Sequence, residues 1–312
     1  MNINIACGGT GGHIFPGMAV GRVLQKRGHE VILWLSSRAV ESVSVQGWDG
    51  PVISLDVEGF PSGILFLKAL RPVLKAFSAS ARCKKIMSKQ KPDVLLAMGS
   101  YASVGPVMAA RSLRVPVVLH ESNSVPGRAV SFLSRFARCV AVNFSSAESH
   151  LPNAGKVIRT GMPVRNFGST RFDSQCLDPN IFTVFVSGGS QGASRLNDIC
   201  SAALCRLHKE GTRLQVIHST GIRDVDMVLA RYQNCGIPNL TDSFITDIEK
   251  AYNSSNIAIC RAGASTCAEL LHFRLPALLV PLPSAKRNHQ EMNAKEMVSY
   301  GICDIVLERE LT

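Results

Sequence analysis

Two glycine-rich turns, each poised between an apolar run and a helical pattern, constrain this chain more than any other feature. The first is Ile3-Asn4-Ile5-Ala6-Cys7 followed by Gly8-Gly9-Thr10-Gly11-Gly12-His13. The second is Phe182-Thr183-Val184-Phe185-Val186 followed by Ser187-Gly188-Gly189-Ser190-Gln191-Gly192. Turns of this kind aim backbone N–H groups and a helix N-terminus at one spot, which favours an anion such as phosphate. Two of them predict two α/β domains facing each other across a cleft.

The rest of the pattern agrees with that reading. In the first half, strand signals at 3–7, 31–35, 94–98, 115–119 and 139–143 alternate with helical ones at 16–27, 64–89, 102–112 and 127–136. In the second half, strands at 182–186, 214–218, 257–260 and 277–280 alternate with helices at 193–209, 223–234, 264–272 and 288–299. Alternation with short loops predicts parallel, doubly wound sheets of Rossmann type. We place the first domain at 1–160, a linker rich in Gly and Pro at 161–180, and the second domain at 181–312. A length of 312 residues suits two domains.

The net charge of +11 is one-sided. Residues 1–160 hold 19 Lys and Arg against 8 Asp and Glu, whereas residues 161–312 hold 15 of each. The first domain is therefore expected to meet an anionic partner, either nucleic acid or an anionic membrane surface. Sparse Tyr and Trp and the lack of a reading motif argue against nucleic acid. Residues 60–91 carry a basic stripe, Lys68, Arg71 and Lys75, beside an apolar one, with Ile64, Leu65 and Leu67 widening the apolar part. Such a helix reads as a membrane-surface element, or as a helix packed on the sheet with a solvated basic face. No apolar run reaches the roughly 20 residues of a membrane span. A strand beginning at Ile3 leaves no room for a signal peptide, so the ten scattered cysteines are expected to be reduced thiols in a cytoplasmic chain. Cys7 and Cys260, beside the turns, read as small packing residues.

The first turn is not a dinucleotide site. Ile14 stands where a third glycine belongs, and the strand ending at Leu35 runs into Ser36-Ser37-Arg38 with no acid. No Gly-Lys-Ser/Thr follows the glycines either. His13, at the start of a helix whose positive end lowers its proton affinity, suits a general base toward a hydroxyl. It also suits a plain hydrogen bond to a neighbouring loop. In the second half, Glu269 lies one turn inside a helix opened by Cys260-Arg261-Ala262-Gly263. Its carboxylate could hold a ribose diol, or, since Thr266-x-x-Glu269 fits a capping box, cap the helix. Asn288-His289-Gln290-Glu291-Met292-Asn293 is rich in amides, which suit sugar hydroxyls or ordinary helix-start polarity.

The segments GGTGGHIFPGMAV, HESNSVPG, GMPVR, SGGSQGASRLN, HSTG, CRAGASTCAEL, LPALLVPLP and NHQEMNA, in this order over residues 8–294, resemble the MurG family of bacterial peptidoglycan glycosyltransferases. The resemblance implies a GT-B fold, two Rossmann-like domains with the active cleft between them. It implies an inverting transfer of N-acetylglucosamine from UDP-N-acetylglucosamine to the muramyl 4-hydroxyl of lipid I, giving lipid II, at the cytoplasmic face of the inner membrane. It implies no catalytic metal and no cofactor. His13 would be the base, and Thr10, Gly11 and Gly12 would form the donor-contact turn. Asn123 would hold the donor sugar, and Arg165 and Ser190 would meet the diphosphate. Ile245 would meet the uracil through its backbone. Ala264, Ser265, Thr266, Cys267 and Ala268 would cover nucleotide and phosphate, with Glu269 on the ribose. Gln290 would bind the N-acetylglucosamine hydroxyls. Ser100 and Tyr101 would lie on the acceptor side.

The chain departs from the family pattern at several points. Ser100 replaces a glycine, Met162 stands where Asn is usual, and Lys286-Arg287 occupies a loop that is often acidic. The sequence stops at Thr312, before the C-terminal helices typical of the family. Other readings that fit are a different UDP-sugar transferase or epimerase of the same fold, and a non-catalytic scaffold at the membrane.

Overall fold

Every strand pairing among the described residues is parallel, because each strand is followed by a connection long enough to cross back over the sheet. The computed structural model describes the chain except residues 37–44, 46, 56–69, 166, 174–176, 190 and 312, and except the side chains of residues 70–79. Two units result, Met1–Arg165 and Asn166–Thr312.

The first unit runs β1 (Asn2–Ala6), α1 (Gly11–Lys26), β2 (Glu30–Ser36), β3 (Val52–Leu55), α2 (Leu70–Gln90), β4 (Val94–Ala97), α3 (Val104–Ser112), β5 (Val117–Glu121), α4 (Arg128–Leu133), β6 (Cys139–Val142) and β7 (Val157–Arg159). Its sheet has the order β3-β2-β1-β4-β5-β6-β7, with Ile5 opposite Leu33 on one side and Leu96 on the other. The strand period of two sorts its core. Ile3, Ile5, Cys7, Leu33 and Leu35 pack with Ile14 and Met18 of α1 on one face. Ala6, Trp34, Leu95, Ala97 and Leu119 build the other. Each large apolar side chain so buried contributes about 1.5–3 kcal/mol. Helix α1 lies tightly on β1 at Gly17, where a Cβ would come within 2.6 Å of the Cys7 Cβ.

The second unit runs β8 (Phe182–Ser187), α5 (Ser194–Lys209), β9 (Leu214–Ser219), α6 (Val225–Cys235), β10 (Asn239–Asp242), α7 (Ile248–Ser254), β11 (Ile257–Cys260), α8 (Ala264–Phe273), β12 (Ala277–Leu279), α9 (His289–Ser299) and β13 (Cys303–Ile305). Its sheet order is β10-β9-β8-β11-β12-β13. Leu196, Cys200 and Leu204 recur every four residues along α5 and meet Val184, Val186, Val216 and, from α6, Val228 and Tyr232.

In both sheets the strand order reverses beside the first strand, between β1 and β4 and between β8 and β11. Doubly wound folds bind ligands at the carboxyl ends of the strands at such points. Each glycine-rich turn follows the strand at a reversal point. The structure thus supplies the physical reason for the two signals in the sequence.

Several details differ from expectation. Helix α1 begins at Gly11, five residues before the expected start, with Thr10 as its extended N-cap and Pro16 inside the helix. Strand β5 begins at Val117 rather than 115, because Pro116 has no N–H to give the ladder. The short strands β3, β7, β10 and β13 and the helix α7 were not expected. Not all cysteines are thiols: Cys205 on α5 and Cys235 at the end of α6 form a disulfide across Cα atoms 5.9 Å apart. Two adjacent helices pack these positions face to face, a pairing their 30-residue separation hides in the sequence.

Candidate active site

In the first unit, the loop after β1 leads into His13 in the opening turn of α1. Thr10 Oγ1 lies 3.1 Å from His13 Nδ1. The Thr10 hydroxyl makes no cap bond to the helix backbone, so it is turned onto the ring instead. Loss of water around the half-buried ring pushes the His13 pKa down to about 4. The lowered proton affinity is as expected, with desolvation as its cause. The imidazole is therefore neutral at pH 7 and able to accept a proton.

Sequence reasoning missed the neighbouring His120, at the end of β5. Burial pushes its pKa down to about 4 as well, against a hydrogen bond to the Gly161 carbonyl at 3.4 Å, and the charge of a protonated His13 would lower it further. The two rings thus lie within electrostatic reach of each other. Glu121 follows, almost fully buried. Its Oε1 accepts from the Asn123 backbone N–H at 2.9 Å and its Oε2 from the Gly127 N–H at 2.9 Å, while burial holds its pKa above the usual carboxylate range. The Asn123 amide donates to the same Oε1 at 3.2 Å. Glu121 therefore fixes the loop that carries Asn123.

Ser100 donates its hydroxyl to the Gly8 carbonyl and accepts from the Ala102 N–H at 3.2 Å. It ties the loop after β4 to the loop after β1. Tyr101 beside it is 40% exposed. Gly11 and Gly12 form the first turn of α1 with His13. Arg165 places its guanidinium 4.8 Å from the Phe15 ring centre, one turn further along α1. Thr10, Gly11, Gly12, His13, Ser100 and Arg165 are thus gathered around one end of α1.

In the second unit, Gly263 is the N-cap of α8 and brings no side chain to it. The first-turn N–H groups at Ala264 and Ser265 are left for an anion to use. Cys267 and Ala268 point into the core. Thr266 lies inside α8, so it cannot cap the helix with Glu269 as partner. The capping-box alternative falls. Glu269 instead accepts at Oε2 from the Tyr252 hydroxyl, at 2.9 Å. Gln290, in the first turn of α9, accepts the Leu282 N–H at 3.0 Å and so fixes the loop after β12. Ile245 is buried while Phe244 beside it is 57% exposed. Ser190 lies outside the described residues, as do Ile64, Leu65, Leu67 and Lys68, and the side chains of Arg71 and Lys75.

The loop after β8 is braced from behind. Gly192 (φ +72°) and Gly221 (φ +81°) pack backbone on backbone: a Cβ on Gly192 would run into the Thr220 carbonyl oxygen, and one on Gly221 would come within 2.7 Å of the Gly192 Cα. Beneath them His218 Nδ1 meets the Tyr232 hydroxyl at 2.9 Å and Nε2 meets Asn197 Oδ1 at 3.2 Å. The Asn197 amide donates to the Thr220 carbonyl at 2.7 Å and to Asp224 at 2.8 Å. Burial lowers the His218 pKa to about 3, so this network is neutral at its centre. Arg261, also buried, donates to the carbonyls of Val280 and Pro281 at 3.1 and 3.2 Å and pairs with Glu308.

Residues 3–142 match the family model for the glycosyltransferase family 28 N-terminal domain, and residues 183–312 match that for its C-terminal domain. The chain belongs to glycosyltransferase family 28. Within the family it is similar to a Syntrophotalea carbinolica protein named UDP-N-acetylglucosamine--N-acetylmuramyl-(pentapeptide) pyrophosphoryl-undecaprenol N-acetylglucosamine transferase. The two are 35% identical over 320 aligned positions, spanning 100% of this chain and 87% of the relative. The crystal structure of Acinetobacter baumannii MurG is similar with a TM-score of 0.78 and 29% identity, over 100% of this chain and 86% of that one. A Neisseria meningitidis UDP-GlcNAc 2-epimerase bound to UDP-GlcNAc superposes with a TM-score of 0.68 over 99% of this chain and 88% of that one. At 13% identity that likeness shows the two-sheet fold alone.

For this family 28 chain, the residues singled out in the sequence are mostly those at the loops. The residues that hold them, His120, Glu121, Tyr252 and the His218 network, are buried and carry no spacing signal. Only their place in the short segments HESNSVPG and HSTG could have drawn attention to the first two and to His218.

Proposed function

We propose that this chain transfers N-acetylglucosamine from UDP-N-acetylglucosamine to the 4-hydroxyl of the muramyl-pentapeptide in lipid I, with inversion at the anomeric carbon. The observation that carries this reading is the 35% identity, along the whole chain, to a relative named for that transfer. The site chemistry supports it. His13 Nε2 takes the proton of the attacking hydroxyl. Asn123 orients the donor sugar, held in place by Glu121. In the second unit the first turn of α8 and the loop after β8 meet the diphosphate, Ile245 meets the base, Glu269 the ribose and Gln290 the sugar hydroxyls. Arg165, in the first unit, is a further diphosphate contact in this reading. The departing UDP gains negative charge, and one preorganised donor aimed at such charge is worth roughly 3 kcal/mol.

The test is UDP release from UDP-N-acetylglucosamine with and without a soluble lipid I analogue. Release that depends on the analogue supports the transferase. Release without it, with epimerised sugar, identifies an epimerase, and UDP binding with no release overturns the reading.

The chain is also proposed to act as a peripheral protein on the anionic, cytoplasmic face of the inner membrane. No helix among the described residues is long and apolar enough to cross a membrane. The charge excess of residues 1–160 supports the reading. So does a surface cluster in which Arg111 lies 4.1 Å over Phe136 and Arg135 lies 5.1 Å from the 45%-exposed Phe132. Neutralising Lys68, Arg71 and Lys75 together should abolish salt-sensitive binding to anionic vesicles. Binding that ignores those changes overturns it.

A further inference from the structure

Tyr252 stands out among the buried groups that the proposed chemistry does not use. It sits on α7, almost fully buried. Its ring stacks on Phe273 of α8 with centroids 4.9 Å apart and planes 22° from parallel, and meets Phe185 of β8 edge-on at 5.4 Å. Phe273 in turn touches Phe167 at 4.9 Å. With a partner on its face and another at its edge, the ring has no freedom to turn. Its hydroxyl therefore has a fixed place, 2.9 Å from Glu269 Oε2.

Glu269 is the opposite case. It is only half-buried, and a glutamate has three side-chain torsions to fix before its carboxylate can meet a diol. Ordering such a side chain on binding costs affinity unless the free protein already holds it. A carboxylate accepts at about four lone-pair positions, so a bond from Tyr252 orients the group without using up its capacity.

We propose that Tyr252 is the positioning residue for Glu269, and that through it the aromatic cluster sets how strongly the chain prefers a ribose over a deoxyribose nucleotide. This rests on the reading of Glu269 as the ribose ligand. It extends that reading to a residue that never touches the nucleotide.

Calorimetry with UDP and 2′-deoxy-UDP on the whole chain tests it, using the unaltered protein, Tyr252→Phe and Glu269→Gln. The phenylalanine keeps the stack and deletes only the hydroxyl. The unaltered protein should prefer UDP by about tenfold, the size of one hydrogen bond to a charged group. Tyr252→Phe should cut that ratio to about threefold or less, with affinity for 2′-deoxy-UDP unchanged. If Tyr252→Phe does not fold, Phe273→Leu, which loosens the ring and keeps the hydroxyl, should lower the ratio in the same direction. A variant that keeps the full ratio, or that weakens both nucleotides equally, overturns the positioning role. An unaltered protein that does not distinguish the two, or a Glu269→Gln variant that keeps the ratio, overturns the ribose reading instead.

Discussion

Thr10 and His13 face each other across the first turn of α1, hydroxyl oxygen to ring nitrogen at 3.1 Å. The contact suits either tautomer of the ring, since the Thr10 hydroxyl can donate or accept. For Nε2 to take a proton, Nδ1 must carry one and donate it to the Thr10 oxygen. Replacing His13 by Ala should reduce turnover about 100-fold or more while UDP affinity is largely kept. Thr10→Val, which removes the acceptor and keeps the shape, should lower turnover by about tenfold. Steady-state rates beside calorimetry check both; near-normal turnover in His13→Ala removes it as the base.

The pH dependence of the rate should carry the same signature. A base with its pKa near 4 stays unprotonated far below the usual imidazole range. The acid limb of kcat/KM is therefore expected near pH 4, not near 6.5. A limb at 6.5 would mean that the working base is a solvated group.

Stability should follow pH with a definite sign. His13, His120 and His218 titrate near 6.5 when unfolded and at about 4, 4 and 3 when folded. Between those limits the unfolded chain binds more protons, so stability rises with pH. Glu121, held above its ordinary pKa by burial, works in the opposite direction but is one group against three. The melting temperature should fall steadily from pH 7 to pH 5. A flat or rising profile over that range contradicts the assignment.

Ser100 spans 92 residues to reach the Gly8 carbonyl. Removing its hydroxyl leaves that carbonyl and the Ala102 N–H short of one partner each. Ser100→Ala should cost about 1–2 kcal/mol, seen as a drop in the urea midpoint. Turnover should fall with it, because the same loop carries Thr10.

Gly192→Ala should be more severe. The added methyl meets a backbone carbonyl, not a flexible side chain, at a positive φ. UDP affinity is expected to fall at least tenfold with a loss of about 2 kcal/mol in stability. Gly211→Ala, also at positive φ but with nothing within 4 Å, separates the two effects: it should destabilise the chain and leave UDP binding alone.

The parts of the fold legible in the sequence were those buried on both faces. Strands β1, β4, β8 and β11 lie inside their sheets and show as apolar runs. Strands β3, β7, β10 and β13 lie at sheet edges, are three or four residues long, and include stretches as polar as Asn239-Leu240-Thr241-Asp242. One wet side leaves such strands without a continuous apolar signal. The site divides in a similar way. Glycines and His13 declare themselves because turn geometry and helix ends demand particular residues. Tyr252 looks like any core aromatic until the fold sets its hydroxyl beside Glu269, 17 positions away.

The backbone contact between Gly192 and Gly221 has a consequence for how such a chain can change over generations. No side chain lies between the two loops to absorb a mutation by shrinking or swinging aside. An insertion, or a bulkier residue, in either loop must be answered in the other at once. Gly192 and Gly221 are therefore expected to change together, if at all. Phe244, by contrast, is 57% exposed, so its side chain can be exchanged without a matching change in a facing loop.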